Sequence, residues 1–95
     1  MTAAETRRLA KLLAEPVRLE ILSRVARAGA GGHACADLVA AIDLTPATVS
    51  HHMKELIGAG LVLDRREGKY HYYSVNRARW QAYLKSLAAL VPPES

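Results

Sequence analysis

Hydrogen-bonding and titratable side chains crowd into three places in this chain: the run from Thr45 to Lys54, the segment Arg65–Lys69, and the pair His33 and Cys35. In the first run the polar set is Thr45, Thr48, Ser50, His51, His52 and Lys54, with Ala47 among them. Such a small, hydrogen-bonding and basic surface can enter a DNA major groove and read base edges. These side chains do not make a catalytic set. Ser50, His51 and His52 are sequence neighbours, and no partnered carboxylate accompanies them. Adjacent histidines on a helix diverge by ~100° and cannot easily chelate one metal together. Arg65, Arg66 and Lys69 are like charges close together, which repel unless an anion sits among them; phosphate is the expected anion. Cys35, Leu38, Val39 and Ile42 fall at i, i+3, i+4 and i+7, so the thiol belongs to a buried stripe and acts as a small apolar residue. Cys35 with His33 offers a soft metal too few ligands unless a second subunit adds more. No metal and no cofactor is therefore expected. Sensing at Cys35 and His33, by metal or oxidation, is the lesser alternative. Gly29–Gly32 lacks the Lys-Ser/Thr ending of a phosphate loop, so an enzyme is not expected.

The elements that must hold these residues can be read in order. Thr2–Ala14 is a first helix with Thr2 and Glu5 as a capping box; Pro16–Ala28 is a second. GAGG at Gly29–Gly32 reads as a flexible connection. A short third helix covers about Ala34 to Ile42. The fourth lies within Leu44–Gly60, with Thr45 as cap, Pro46 in its first turn and glycines at its end. Its stripe of Val49, Met53, Leu56 and Ile57 faces inward; the opposite face carries Ala47, Thr48, His51, Lys54 and Glu55, with Ser50 and His52 on its flanks. The pattern then changes period. Leu61–Arg66 and Tyr70–Val75 read as two strands joined through Glu67, Gly68 and Lys69. Asn76 caps a last helix, Arg77 to about Val91, stopped by Pro92 and Pro93. The expected fold is mainly α with a β-hairpin: a winged helix-turn-helix of four helices, a two-stranded wing and a C-terminal helix, one domain over 1–95.

Composition bounds the rest. Ninety-five residues with 51% hydrophobic and 23% charged make a small globular domain. A net charge of +4 permits a polyanionic partner. One cysteine excludes an internal disulfide and fits the cytoplasm. No apolar run reaches membrane length. Phe is absent, so the core is aliphatic, and burial between two copies would help stabilise it. The apolar stripes of the end helices predict a homodimer through Leu9, Leu12 and Leu13 with Trp80, Tyr83, Leu84 and Leu87. The Arg7, Arg8 and Lys11 cluster reads as a solvated face.

LAEPVRLEIL, ADL, TVSHHMKEL, AGLV and RREGKYHYYSV, in that order, resemble the ArsR/SmtB family of winged-helix repressors over nearly the whole chain. The resemblance implies a homodimer, double-stranded DNA as partner, and often an inducer, unknown here. It implies operator binding through the fourth helix and the wing. The chain departs from the pattern. Pro46 stands near a usual Gln. The thiolates of the CVCDL motif are replaced by Ala34 and Ala36, with Cys35 at the valine place. The last helix has no His, Asp or Glu for a zinc site. The competing expectation is a protein-interaction module that uses the Trp80–Val91 stripe and touches DNA weakly. Retention on DNA against rising salt separates the two.

Overall fold

A computed structural model describes residues 1–94. Its elements are α1 (Ala3–Leu13), α2 (Pro16–Arg27), β1 (His33–Ala34), α3 (Cys35–Ala41), α4 (Pro46–Gly58), β2 (Val62–Glu67), β3 (Tyr70–Val75) and α5 (Arg77–Leu90). Each long helix begins where a side chain can take an orphan amide. Thr2 and Glu5 form the reciprocal capping box, with bonds of 3.1 and 3.0 Å. The Glu15 carboxylate accepts from Val17 N, and Thr45 Oγ1 accepts from Thr48 N at 3.2 Å. Asn76 Oδ1 accepts from Arg79 N at 3.2 Å. Helix α4 ends in a Schellman motif. Gly60, at φ +78°, donates to Ile57 O, and Leu61 N reaches Leu56 O at 3.1 Å. Leu56 and Leu61, the apolar pair that accompanies this motif, are both fully buried.

The hairpin is tighter than expected. Glu67 pairs with Tyr70, so the turn is only Gly68 and Lys69. Gly68 at φ +59° fits a type II′ turn, which wants glycine first. The sheet also has a third strand. β1 pairs antiparallel with β3 (His33 opposite Tyr73, Ala34 opposite Tyr72), giving the order β1-β3-β2. The supposed flexible GAGG segment is thus docked: Gly32 N donates to Gly29 O at 3.1 Å, and the chain enters the sheet at once.

One aliphatic core joins the elements, built on Leu9, Ile21, Leu38, Leu56 and Leu61. Val62, Tyr73 and Tyr83 seal it from the hairpin and from α5. Leu9, Leu12, Leu13 and Tyr83, expected at an intersubunit surface, are buried inside the protomer, Leu9 with 1% exposure. The inner faces of α1 and α5 are consumed by the core. What remains outside is Leu84, Leu90 and Val91, with Trp80 and Leu87 half-buried. Among the described residues no helix is long and apolar enough to cross a membrane.

Candidate nucleic-acid interface

Helix α4 is locked by one face and free on the other. Val49, Met53 and Leu56 are at most 3% exposed. Ala47, Ser50, His51 and Lys54, at i, i+3, i+4 and i+7, form an exposed stripe along the opposite side. Thr45 is exposed and Thr48 half-buried; their hydroxyls bond to each other at 2.8 Å, so both serve the cap. His52 does not join the stripe. It is half-buried, and its Nδ1 accepts from Arg18 Nε at 3.1 Å. The sequence held a signal for this. His52 lies three residues after Val49 and four before Leu56, on the flank of the apolar stripe.

The hairpin projects as an exposed arm: every residue from Leu63 to Tyr70 is exposed. Its three cations are not equivalent. Arg65 pairs with Glu67, donates to Gly31 O at 3.1 Å and lies 4.8 Å from the Tyr72 ring centroid. Its charge is offset and its side chain is held on the sheet face, away from the tip. Arg66 curls over the turn, its Nε donating to Gly68 O at 2.9 Å. Lys69 sits at the tip, its Nζ 5.5 Å from the Tyr70 ring centroid. Arg66 and Lys69 are therefore the tip cations without a carboxylate partner among the described residues. On the face that carries Arg66, opposite Arg65, His71 Nδ1 contacts both Asp64 oxygens, at 2.9 and 3.0 Å.

Cys35 is half-buried at the start of α3, packed against the core, and beside Tyr73. Burial, then the thiol, push the Tyr73 hydroxyl well above the usual phenol range. His33 turns its Nδ1 to the neighbouring carbonyl of Ala34, 3.0 Å away. Among the described residues no group of three or more His, Cys, Asp or Glu could hold a metal ion.

A capped helix with a free polar stripe, set after a short helix and before a basic hairpin, defines a winged helix-turn-helix DNA-binding regulator. A helix-turn-helix domain family profile matches residues 13–65. The arsenical resistance operon repressor of Staphylococcus aureus is 37% identical over 92% of this chain and 81% of its own length. That of Staphylococcus xylosus is 38% identical over 80% of this chain and 70% of its own. Among solved structures, an ArsR-like transcriptional regulator from Rhodococcus sp. RHA1 superposes with a TM-score of 0.79 at 22% identity, covering 92% of this chain and 79% of that one. A homodimeric winged helix-turn-helix DNA-binding domain from Mycobacterium bovis gives 0.72 at 29% identity, covering 96% and 83%. The chain belongs to the ArsR family of winged helix-turn-helix transcriptional regulators, which are not enzymes.

Proposed function

We propose that the protein is a homodimeric repressor that binds a near-palindromic operator. The observation that carries this is the free stripe of Ala47, Ser50, His51 and Lys54 on a helix whose other face is locked in the core. That stripe reads base edges in the major groove, with Thr45 and Thr48 holding the helix start against the backbone. Arg66 and Lys69 hold phosphates; Arg65 contributes less because Glu67 offsets it. The single winged-helix domain spans 1–95, and the outer face of α5, with Trp80, Leu84 and Leu87, joins two copies. The homodimeric Mycobacterium bovis domain supports that assembly. With DNA as ligand the protein works in the cytoplasm. The repressor names of the staphylococcal relatives support the sign of regulation. Footprinting on the DNA upstream of the protein's own gene tests the reading. A protected near-palindrome with half-sites about one helical turn apart is expected. No protected sequence, with binding insensitive to salt, would leave the interaction-module reading in its place.

A further inference from the structure

We propose that Arg18 is the positioning residue of the reading helix, and that its bond to His52 makes operator binding weaken on acidification. This rests on the DNA-binding reading above. The packing along the body of α4 is apolar and non-directional, and the bond from Arg79 to Ala59 O holds only its C-terminal end, so the angle of its first turns needs another tie. Arg18 supplies direction. Its Nε donates to His52 Nδ1 at 3.1 Å, and its Nη1 donates to Leu12 O at 3.2 Å. Leu12 O is one of the last carbonyls of α1, which have no partner within the helix. One guanidinium on α2 thus ties the end of α1 to the middle of α4. His52 is next to His51 of the reading stripe, with the two ring centroids 5.4 Å apart, so a change in the angle of α4 at His52 carries His51 with it.

The bond has a chemical condition. Arginine has donors only, so His52 Nδ1 must offer its lone pair and Nε2 must carry the proton. A protonated imidazole has two donors and no acceptor. Protonation breaks the bond and sets cation against cation. The depression over Arg18 is lined by Arg8 and Lys11 of α1 and Glu55 of α4, so one carboxylate faces three cations and cannot offset a fourth. His51, exposed beside it, acts in the opposite sense, since its protonation adds charge facing DNA. The effect of His52 must therefore be isolated by a ratio.

The test is operator affinity by fluorescence anisotropy on the footprinted upstream fragment, at fixed ionic strength, from about pH 8 to about pH 5.5, where imidazoles change charge. His52→Asn keeps an acceptor near the Nδ1 position and does not titrate. The ratio of wild-type Kd to His52→Asn Kd cancels the titration of the other three histidines. It should rise about tenfold on acidification, because a helix freed from its tie must be re-oriented and immobilised when it binds. With Arg18→Met in both proteins the ratio should stay flat. A flat ratio with Arg18 present, or a rise that survives Arg18→Met, overturns the proposal. Nitrogen NMR of the His52 ring gives a check without DNA: the Nε2–H tautomer is expected, and the Nδ1–H tautomer overturns it. Wild type that binds no DNA at pH 8 sinks the repressor reading and this inference with it, whereas a flat ratio sinks this inference alone.

Discussion

Arg65, Arg66 and Lys69 look alike in the sequence, and their surroundings separate them. Arg66→Ala and Lys69→Ala should each weaken binding on operator and random DNA alike, and each lower the salt slope by about one. Arg65→Ala should change the slope much less, because Glu67 already offsets that charge. His51→Ala or Ser50→Ala should instead cost on the order of 1–3 kcal/mol on the operator and far less on random DNA. Salt titrations on both DNAs give the comparison; equal losses for all the variants would refute the division between holding and reading. Cys35 calls for a different experiment. It is packed against the core, and its neighbours Ala34 and Ala36 carry no sulfur. Arsenite should therefore act alike on operator-bound wild type and Cys35→Ala. Stoichiometric release of the wild type alone would show that the thiol senses. The outward stripe was legible because helical period sorts side chains by direction; the same period assigns Cys35 to a buried stripe, and the residue is half-buried. The role of His52 was not legible, since its partner Arg18 lies 34 residues away and no local pattern reports a partner that distant.

Caps and turns were the legible part of the elements, because their chemistry is local. Thr2, Thr45, Asn76 and Gly60 act where their residue types promised. Thr45→Ala should cost about 1 kcal/mol of stability, the usual price of a lost N-cap, and it also strands the Thr48 hydroxyl. Strand β1 was illegible for the opposite reason. Two residues have no period, and His33 and Ala34 become a strand only because β3 is there to pair with them. Gly32 makes that approach feasible. Its φ is +85°, and an added Cβ would meet Tyr73 O at 3.1 Å and Tyr72 Cβ at 3.2 Å. Gly32→Ala should destabilise the fold by about 1–3 kcal/mol. Hydrogen exchange should quicken first at the amides joining β1 to β3. Gly29→Ala, with nothing within 4 Å of the added Cβ, should bear only its φ penalty and leave that exchange alone. Equal exchange in the two variants would mean that the close approach to β3 does not matter.

At the scale of the molecule, α5 is fastened at its start and free at its end. Arg79 Nη1 reaches Glu5 Oε2 at 2.9 Å, and Arg79 Nε reaches Ala59 O at 3.3 Å. The backbone amide of Thr2 and then Arg79 hold the Glu5 carboxyl down at about 2, from 4.5. A depressed folded value means that the stabilisation is complete above 4.5 and is lost as pH falls from there towards 2. Denaturation at a series of pH values should show that acid limb, and Glu5→Gln should flatten it; an unchanged limb would exclude Glu5 as its source. Beyond Arg79 the helix runs out of partners. Leu90 is 70% exposed, and a groove between α1 and α5 is lined by Met1, Ala3, Ala10, Leu87 and Leu90. The radius of gyration is 14.4 Å, against about 12 Å for a compact domain of this length. The accessible surface is 6264 Å², whereas a compact monomer of 10.3 kDa exposes about 5,400 Å². The excess is close to the roughly 800 Å² that each partner buries in a standard interface. The projecting hairpin, exposed from Leu63 to Tyr70, contributes to both figures, and the proposed second copy on this face would cover part of the surplus. Leu84→Glu with Leu90→Glu should then give a folded monomer with weakened operator binding. Leu9→Ala, in the protomer core, should cost about 2–5 kcal/mol of stability. Sedimentation at micromolar concentration, beside thermal melts, separates the two classes. Wild type that sediments as a monomer, with and without DNA, would remove the dimer.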